Sequence, residues 1–197
     1  AFIILDSYRK NSPVLKNSEC EVHDIGDGVL CFEFTSKSNS IGEGIGKGLY
    51  EIIEIAEQGD WNGLVIGNNA KQFSVGANLM NIGMLAMQKQ YKVLDKFVSD
   101  FQKINMRIRT SKIPVVVATQ GYVFGGGCEI SMHCDAGIYA AESYIGLVEV
   151  GVGLLPGGGG TKEFALRASN DFFDGDVQTP TLIKYFKSIA TAAVSTS

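Results

Sequence analysis

A chain of 197 residues, 45% hydrophobic and 19% charged, is long enough to bury one ordinary core and has globular composition. Its net charge of −4 gives no basic footprint for nucleic acid, so an anionic ligand would depend on local cations or helix N-termini. Cys20, Cys31, Cys128 and Cys134 lack C-x-x-C spacing and are joined by only His23 and His133, which argues against a metal site and for small thiols in a reducing compartment.

Residues 1–20, mixed and polar around Pro13, read as a linker or arm. In the opening AFIILDSYRK the charge follows the apolar run, the reverse of a signal peptide, and no stretch approaches the length of a membrane span. A cytoplasmic protein, or one of an organellar matrix, is the expectation. Ala1 is an unnatural start and the tail IATAAVSTS ends uncapped, so the chain reads as a piece of a longer one.

Gly26-Asp27-Gly28 is a turn signal, followed by a strand over Val29–Phe34. Ile45, Leu49, Ile52, Ile53 and Ala56 fall at helical spacing within 43–58, and Gly63–Gly67 reads as a short buried strand. Residues 91–110 carry Leu94, Phe97, Val98, Phe101, Ile104 and Ile108 on one helical face. Strands follow at 114–118 and 136–140, with a glycine turn and helix between them, and one more helix opens at Gly157–Gly160. Strands alternating with helices predict an α/β fold.

Glycine is abundant (24) and clustered. In Gly42-Glu-Gly44-Ile-Gly46 the dinucleotide-binding spacing fails, because its third glycine would fall at Lys47; a loose helix start after Asn39-Ser40 accounts for the run. Gly157–Gly160 followed by Thr161-Lys162 reverses the order of a phosphate loop. Gly125-Gly126-Gly127-Cys128-Glu129 is different. It follows a strand and precedes an apolar helix, so free N–H groups gather where a developing negative charge is stabilised, with Glu129 in the first turn.

Three segments together, Phe73-Ser-Val-Gly-Ala-Asn-Leu79, Gly121-Tyr-Val-Phe-Gly-Gly-Gly-Cys-Glu-Ile130, and Ile145-Gly-Leu-Val-Glu149 with Gly153-Leu-Leu-Pro-Gly-Gly-Gly-Gly-Thr161, resemble the crotonase (enoyl-CoA hydratase/isomerase) family from about Gly28 onward. The resemblance implies a crotonase-like spiral of repeated ββα units over 21–197, with a C-terminal helical part that continues in family members and is truncated here. It implies hydration of 2-enoyl-CoA to 3-hydroxyacyl-CoA in fatty-acid β-oxidation. The N–H groups of Ala77 and Gly126 become the oxyanion hole, Glu129 and Glu149 the acid–base pair, and Gly157 a water-holding N–H, with Asn78, Leu79 and Tyr122 at the substrate.

Glu149 is expected as proton donor and Glu129 as activator of water. Isomerising relatives often keep one of these carboxylates, so both together favour hydration. The alternatives are an isomerase or other crotonase chemistry, and a non-catalytic acyl-CoA-binding or assembly module. No bound cofactor is needed for the hydratase step, and coenzyme A enters as part of the substrate. Asp24–Phe34 and Ser36–Ile41 look most like hydratase modules of bacterial multifunctional 3-hydroxyacyl-CoA dehydrogenases, which implies a dehydrogenase domain in the same polypeptide or a trimer-based homo-oligomer.

Val148, Gln120 and Asn78 stand where the family usually has Pro, Asn and Asp, which implies altered pocket shape with retained chemistry. Met80, Met84 and Met87 fit either an acyl pocket or core packing. Lys71, Lys89 and Lys92 fit either CoA phosphates or a solvated face. His133 fits helix packing better than general-base duty.

Overall fold

The structure, a computed structural model, describes residues 3–195. Residues 1–2 and 196–197, the chain ends behind the reading of a cut piece, lie outside the described residues. The elements in order are α1 (Leu5–Tyr8), β1 (Leu15–Lys16), β2 (Cys20–Asp24), β3 (Val29–Phe34), α2 (Glu43–Gln58), β4 (Gly63–Gly67), α3 (Leu79–Met87) and α4 (Tyr91–Arg109). Then come β5 (Val115–Thr119), β6 (Tyr122–Phe124), α5 (Gly126–His133), β7 (Ala136–Tyr139), β8 (Tyr144–Gly146), α6 (Gly160–Asn170) and α7 (Thr179–Ala190). No helix among the described residues is long and apolar enough to cross a membrane.

Six strands form one sheet in the order β1-β2-β3-β4-β5-β7, antiparallel from β1 to β3 and parallel beyond. The parallel strands carry the near-continuous apolar runs that burial on both faces requires. Leu30, Phe32, Leu64, Ile66, Val115 and Val117 are buried there, under Ile45, Leu49, Ile52 and Ile53 of α2. Glu33 is the exception: it is buried in β3 and held by Arg9, whose Nε lies 3.1 Å and Nη2 2.5 Å from its two carboxylate oxygens. The segment read as a linker or arm therefore supplies a buried side chain (Leu5), the partner of a buried carboxylate (Arg9) and an edge strand, with Leu15 opposite Val22.

The ββα repeat is visible in the pairing. Each of β3, β4, β5 and β7 enters the large sheet, then a short second segment pairs beside it, then a helix returns. The second segments are Ile41, Ser74–Ala77, β6 and β8. They form a parallel ladder through Ile41 with Ala77, Ser74 with Val123, and β6 with β8. All three motif segments therefore emerge from neighbouring rungs of that ladder and lead into helices.

Helix α4 stands where periodicity put it, and one expectation on α3 is corrected. The apolar face of α4 is buried only at Ile104 and Ile108; its N-terminal half, including Val98 at 38% exposure, lines open cavities instead of core. Met80, Met84 and Met87 do not pack in the core of the described residues and are more than half exposed on α3, while Leu79 and Ile82 of that helix line the cavity described below.

Candidate active site

The first donor follows from strand pairing. Ile41 N–H donates to Gly76 O at 2.8 Å, and in a parallel bridge one residue bonds the neighbours flanking its partner. The N–H of Ala77 is thus turned away from Ile41. Gly76 has φ +87°, and a Cβ there would lie 2.9 Å from Phe124 O and 3.4 Å from Gly126 N. Only glycine lets the two donor-bearing turns come this close. Ser74, fully buried, braces the turn by donating to Asn39 O at 2.7 Å and accepting from Gly76 N–H at 3.1 Å.

The second donor opens α5. Gly125 N–H donates to Gly146 O at 3.0 Å, and Glu129 N–H to Gly125 O at 2.9 Å. Gly126 is the first helical residue, so its N–H has no carbonyl to reach within the helix. The same ladder brings in the second carboxylate. β8 ends at Gly146, opposite Phe124 of β6, and Glu149 begins the 3₁₀ turn just beyond it. A Cβ on Gly125 would lie 3.2 Å from Glu149 Oε1, so the glycine turn and this carboxylate are in contact range.

The two carboxyl groups sit in different surroundings. Glu129 is 2% exposed, and its Oε1 accepts Gly160 N–H at 2.8 Å. Burial pushes its carboxyl up to about 7; the Gly158, Gly159 and Gly160 N–H groups pull it down and Glu149 pushes it further up. Glu149 is partly buried, which also raises its carboxyl, and its Oε2 is enclosed without a hydrogen-bond partner among the described residues. An enclosed oxygen with no partner is costly.

Behind Glu129, its carbonyl lies 2.6 Å from His133 Nδ1, and Lys162 Nζ lies 2.9 Å from His133 Nε2. Lys162 donates, so Nε2 accepts and Nδ1 carries the proton; burial holds His133 below its usual range. His133 is therefore a packed, neutral brace, as its helical context indicated.

A cavity of about 200 Å³ joins these groups. Ala77, Gly126, Glu129, Glu149, Gly157 and Leu79 all line it. Asn78 and Tyr122 do not. The Asn78 side chain caps α3, accepting from Met80 and Asn81 N–H groups, and Tyr122 points outward from β6, stacked on Phe124 with centroids 4.8 Å apart. Strand alternation explains the latter, since Val123 takes the buried side. The remaining wall is apolar: Ile82, Leu94, Phe97, Val98 and Phe101, with Leu154 and Leu155. Sequence showed the α4 stripe but gave no sign that it faces a cavity. Lys71, Lys89 and Lys92 are all exposed. Together the cavity brings two turn N–H groups, two carboxyls raised by burial and an apolar recess.

Residues 24–172 match the family model described as enoyl-CoA hydratase/isomerase, and the chain belongs to that family, the crotonases. It is similar to the "Probable 3-hydroxyacyl-CoA dehydrogenase" of Bacillus subtilis (strain 168), 41% identical over 184 residues, which is 93% of this chain and 23% of that protein. It is 34% identical over 126 residues to the mitochondrial enoyl-CoA hydratase of Pongo abelii, covering 63% of this chain and 41% of that one. The chain thus spans less than half the length of these relatives. Among solved structures, an enoyl-CoA hydratase from Polaromonas sp. JS666 superposes with TM-score 0.78 at 19% identity, over 90% of this chain and 65% of that one. One from Bacillus anthracis gives 0.71 at 22%, over 91% and 65%. At such identities the superpositions establish the fold, an α/β crotonase fold.

Proposed function

We propose that this chain is the hydratase unit for 2-enoyl-CoA thioesters, forming 3-hydroxyacyl-CoA in fatty-acid β-oxidation. One observation carries the proposal: Glu129 and Glu149, in unequal environments, line the same cavity as the turns bearing the Ala77 and Gly126 N–H groups. Adding water to a conjugated thioester places hydroxyl on C3 and builds negative charge on the thioester oxygen. Two preorganised N–H donors stabilise that enolate by roughly 3 kcal/mol each. Glu129 accepts the Gly160 N–H, a bond that favours the ionised form against burial, and is assigned the proton taken from water. Glu149, whose carboxyl burial also raises, is assigned the delivery of hydrogen to C2. Gly157, on the cavity wall, is the expected water-side N–H, and the apolar recess takes the acyl chain. No bound cofactor enters these steps, and coenzyme A arrives with the substrate.

The product, an alcohol β to the thioester, is the substrate class of a 3-hydroxyacyl-CoA dehydrogenase. The 41% identity to a protein of that name supports reading this chain as one unit of a multifunctional polypeptide. A trimer-based homo-oligomer is the other assembly proposed.

The test is loss of absorbance at the conjugated thioester band of crotonyl-CoA, with product analysis. Rapid loss and a 3-hydroxyacyl product, abolished in Glu149→Gln, support hydration. A shifted double bond would convert the reading to isomerisation. Tight binding of the ester with no turnover in any protein would leave a binding module.

A further inference from the structure

We propose that Gln102 and Asn105 of α4 are positioning residues that aim the N–H groups of the Gly157–Gly160 loop at the Glu129 carboxylate. The proposal rests on the reading of Glu129 as the group that activates water. The loop is four consecutive glycines, which have no side chains to fix their own peptide planes. Side chains are excluded where it matters most: a Cβ on Gly158 would lie 2.3 Å from Phe101 Cε1 and 2.5 Å from Glu129 Oε2, and Gly159 has φ +117°. The loop's conformation must therefore be imposed from outside.

Helix α4 supplies the constraint from two positions three residues apart, hence on one face. Gln102 Nε2 donates to Gly157 O at 2.7 Å, and Asn105 Nδ2 donates to Gly158 O at 2.8 Å. In a trans peptide the carbonyl of one residue and the N–H of the next point in opposite directions. Holding the Gly157 carbonyl toward α4 turns the Gly158 N–H away from it, and holding the Gly158 carbonyl does the same for Gly159. Both N–H groups thus leave α4, next to a Glu129 carboxylate that lies 2.5 Å from where a Gly158 Cβ would stand and that accepts the Gly160 N–H at 2.8 Å.

The orientation of Asn105 supports this role. Its side chain is fully buried and its Oδ1 has no partner among the described residues, a cost the fold bears while the donor end holds the loop. The reversed amide would set an oxygen against the Gly158 carbonyl. The other ionisable groups around Glu129 are independent of both amides. Glu149 approaches across the cavity; Cys128 and His133 belong to α5; Lys162 and Glu163 of α6 act through His133; and Arg109 of α4 pairs with Glu163.

The test follows the carboxyl carbon of Glu129 by ¹³C NMR across pH, assigned by its loss in Glu129→Gln, alongside the pH profile of kcat/KM on crotonyl-CoA. The variants are Asn105→Leu and Gln102→Met; the second alters an exposed side chain, so its fold is retained and it decides the matter if the first does not fold. The expected result is an upward move of the Glu129 midpoint in each, by about one unit for Asn105→Leu. The acid limb of kcat/KM should move with it, giving about tenfold less activity below the limb and near-native activity above it. A midpoint that stays in place in the folded variants overturns the proposal, whatever happens to the rate. If the midpoint moves but the unaltered protein hydrates nothing at any pH, the positioning role stands and the hydratase reading falls.

Discussion

The large sheet and the small ladder beside it come from the same alternating chain, yet they bury different things. In the large sheet the enclosed side chains are Leu30, Phe32, Leu64, Ile66, Val115 and Val117, with Glu33 neutralised by Arg9. In and beyond the ladder they include Ser74, Glu129 and His133, and a Glu149 oxygen enclosed without a partner. Stability is concentrated in the first region. The second keeps polar groups in a low-dielectric setting where a reactant would complete them. The lesson is that the ladder's short rungs need little intrinsic stability, because each is anchored through its neighbouring strand in the large sheet.

Substitutions on either side should separate rate from stability. Glu129→Gln or Glu149→Gln should lower kcat/KM on crotonyl-CoA by roughly a thousandfold with the fold intact. A loss below tenfold would remove that carboxyl from the chemistry. Phe32→Ala, in the fully buried centre of β3, should cost about 4 kcal/mol in denaturant unfolding and leave turnover per folded molecule unchanged.

A third substitution effect depends on pH. The Glu129 carboxyl goes from an ordinary 4.5 to about 7 on folding, so between these values the folded state holds more proton than the unfolded state. Its contribution is therefore fully present below 4.5 and lost as pH rises through 7, by roughly 3 kcal/mol in all. Relative to the wild type, Glu129→Gln should gain that amount between pH 4.5 and 8. A pH-independent difference would show that the carboxyl is not strained by burial.

What could be read in sequence follows the same division. Val29–Phe34, Glu43–Gln58 and Gly63–Gly67 stand where periodicity put them, because long apolar patterns carry their own signal. β6 and β8 have three residues each, too few for any period, and are held by pairing between segments distant in the chain, β6 with β8 and Val123 with Ser74. The helix and strand within residues 1–20 were hidden for a related reason: what holds Arg9 is Glu33, a charge that pattern reading would not bury. The positions of Ala77, Gly126, Glu129 and Glu149 were legible from three motifs together, whereas the role of α4 beside them depends on contacts formed only in the fold.

The smallest expected effect probes how the ladder is tied to the large sheet. Gln120 lies between β5 and β6, and its Nε2 reaches Asn68 O at 3.0 Å, Asn68 Oδ1 at 3.0 Å and Ala70 O at 2.7 Å. Asn68 Nδ2 in turn donates to Phe73 O at 3.1 Å, and Phe73 N–H to Gln120 O at 2.9 Å. One amide thus fixes the loop that delivers the segment ending at Ala77. Gln120→Ala should cost about 1–2 kcal/mol in stability and lower kcat/KM severalfold by loosening one donor while the other, at Gly126, stays in place. Gln120→Asn, one methylene shorter, should fall between the two. A drop in thermal midpoint with kcat/KM unchanged would show that the loop tolerates movement without disturbing Ala77, and that the bridge to Ile41 and the Ser74 brace suffice to hold this donor.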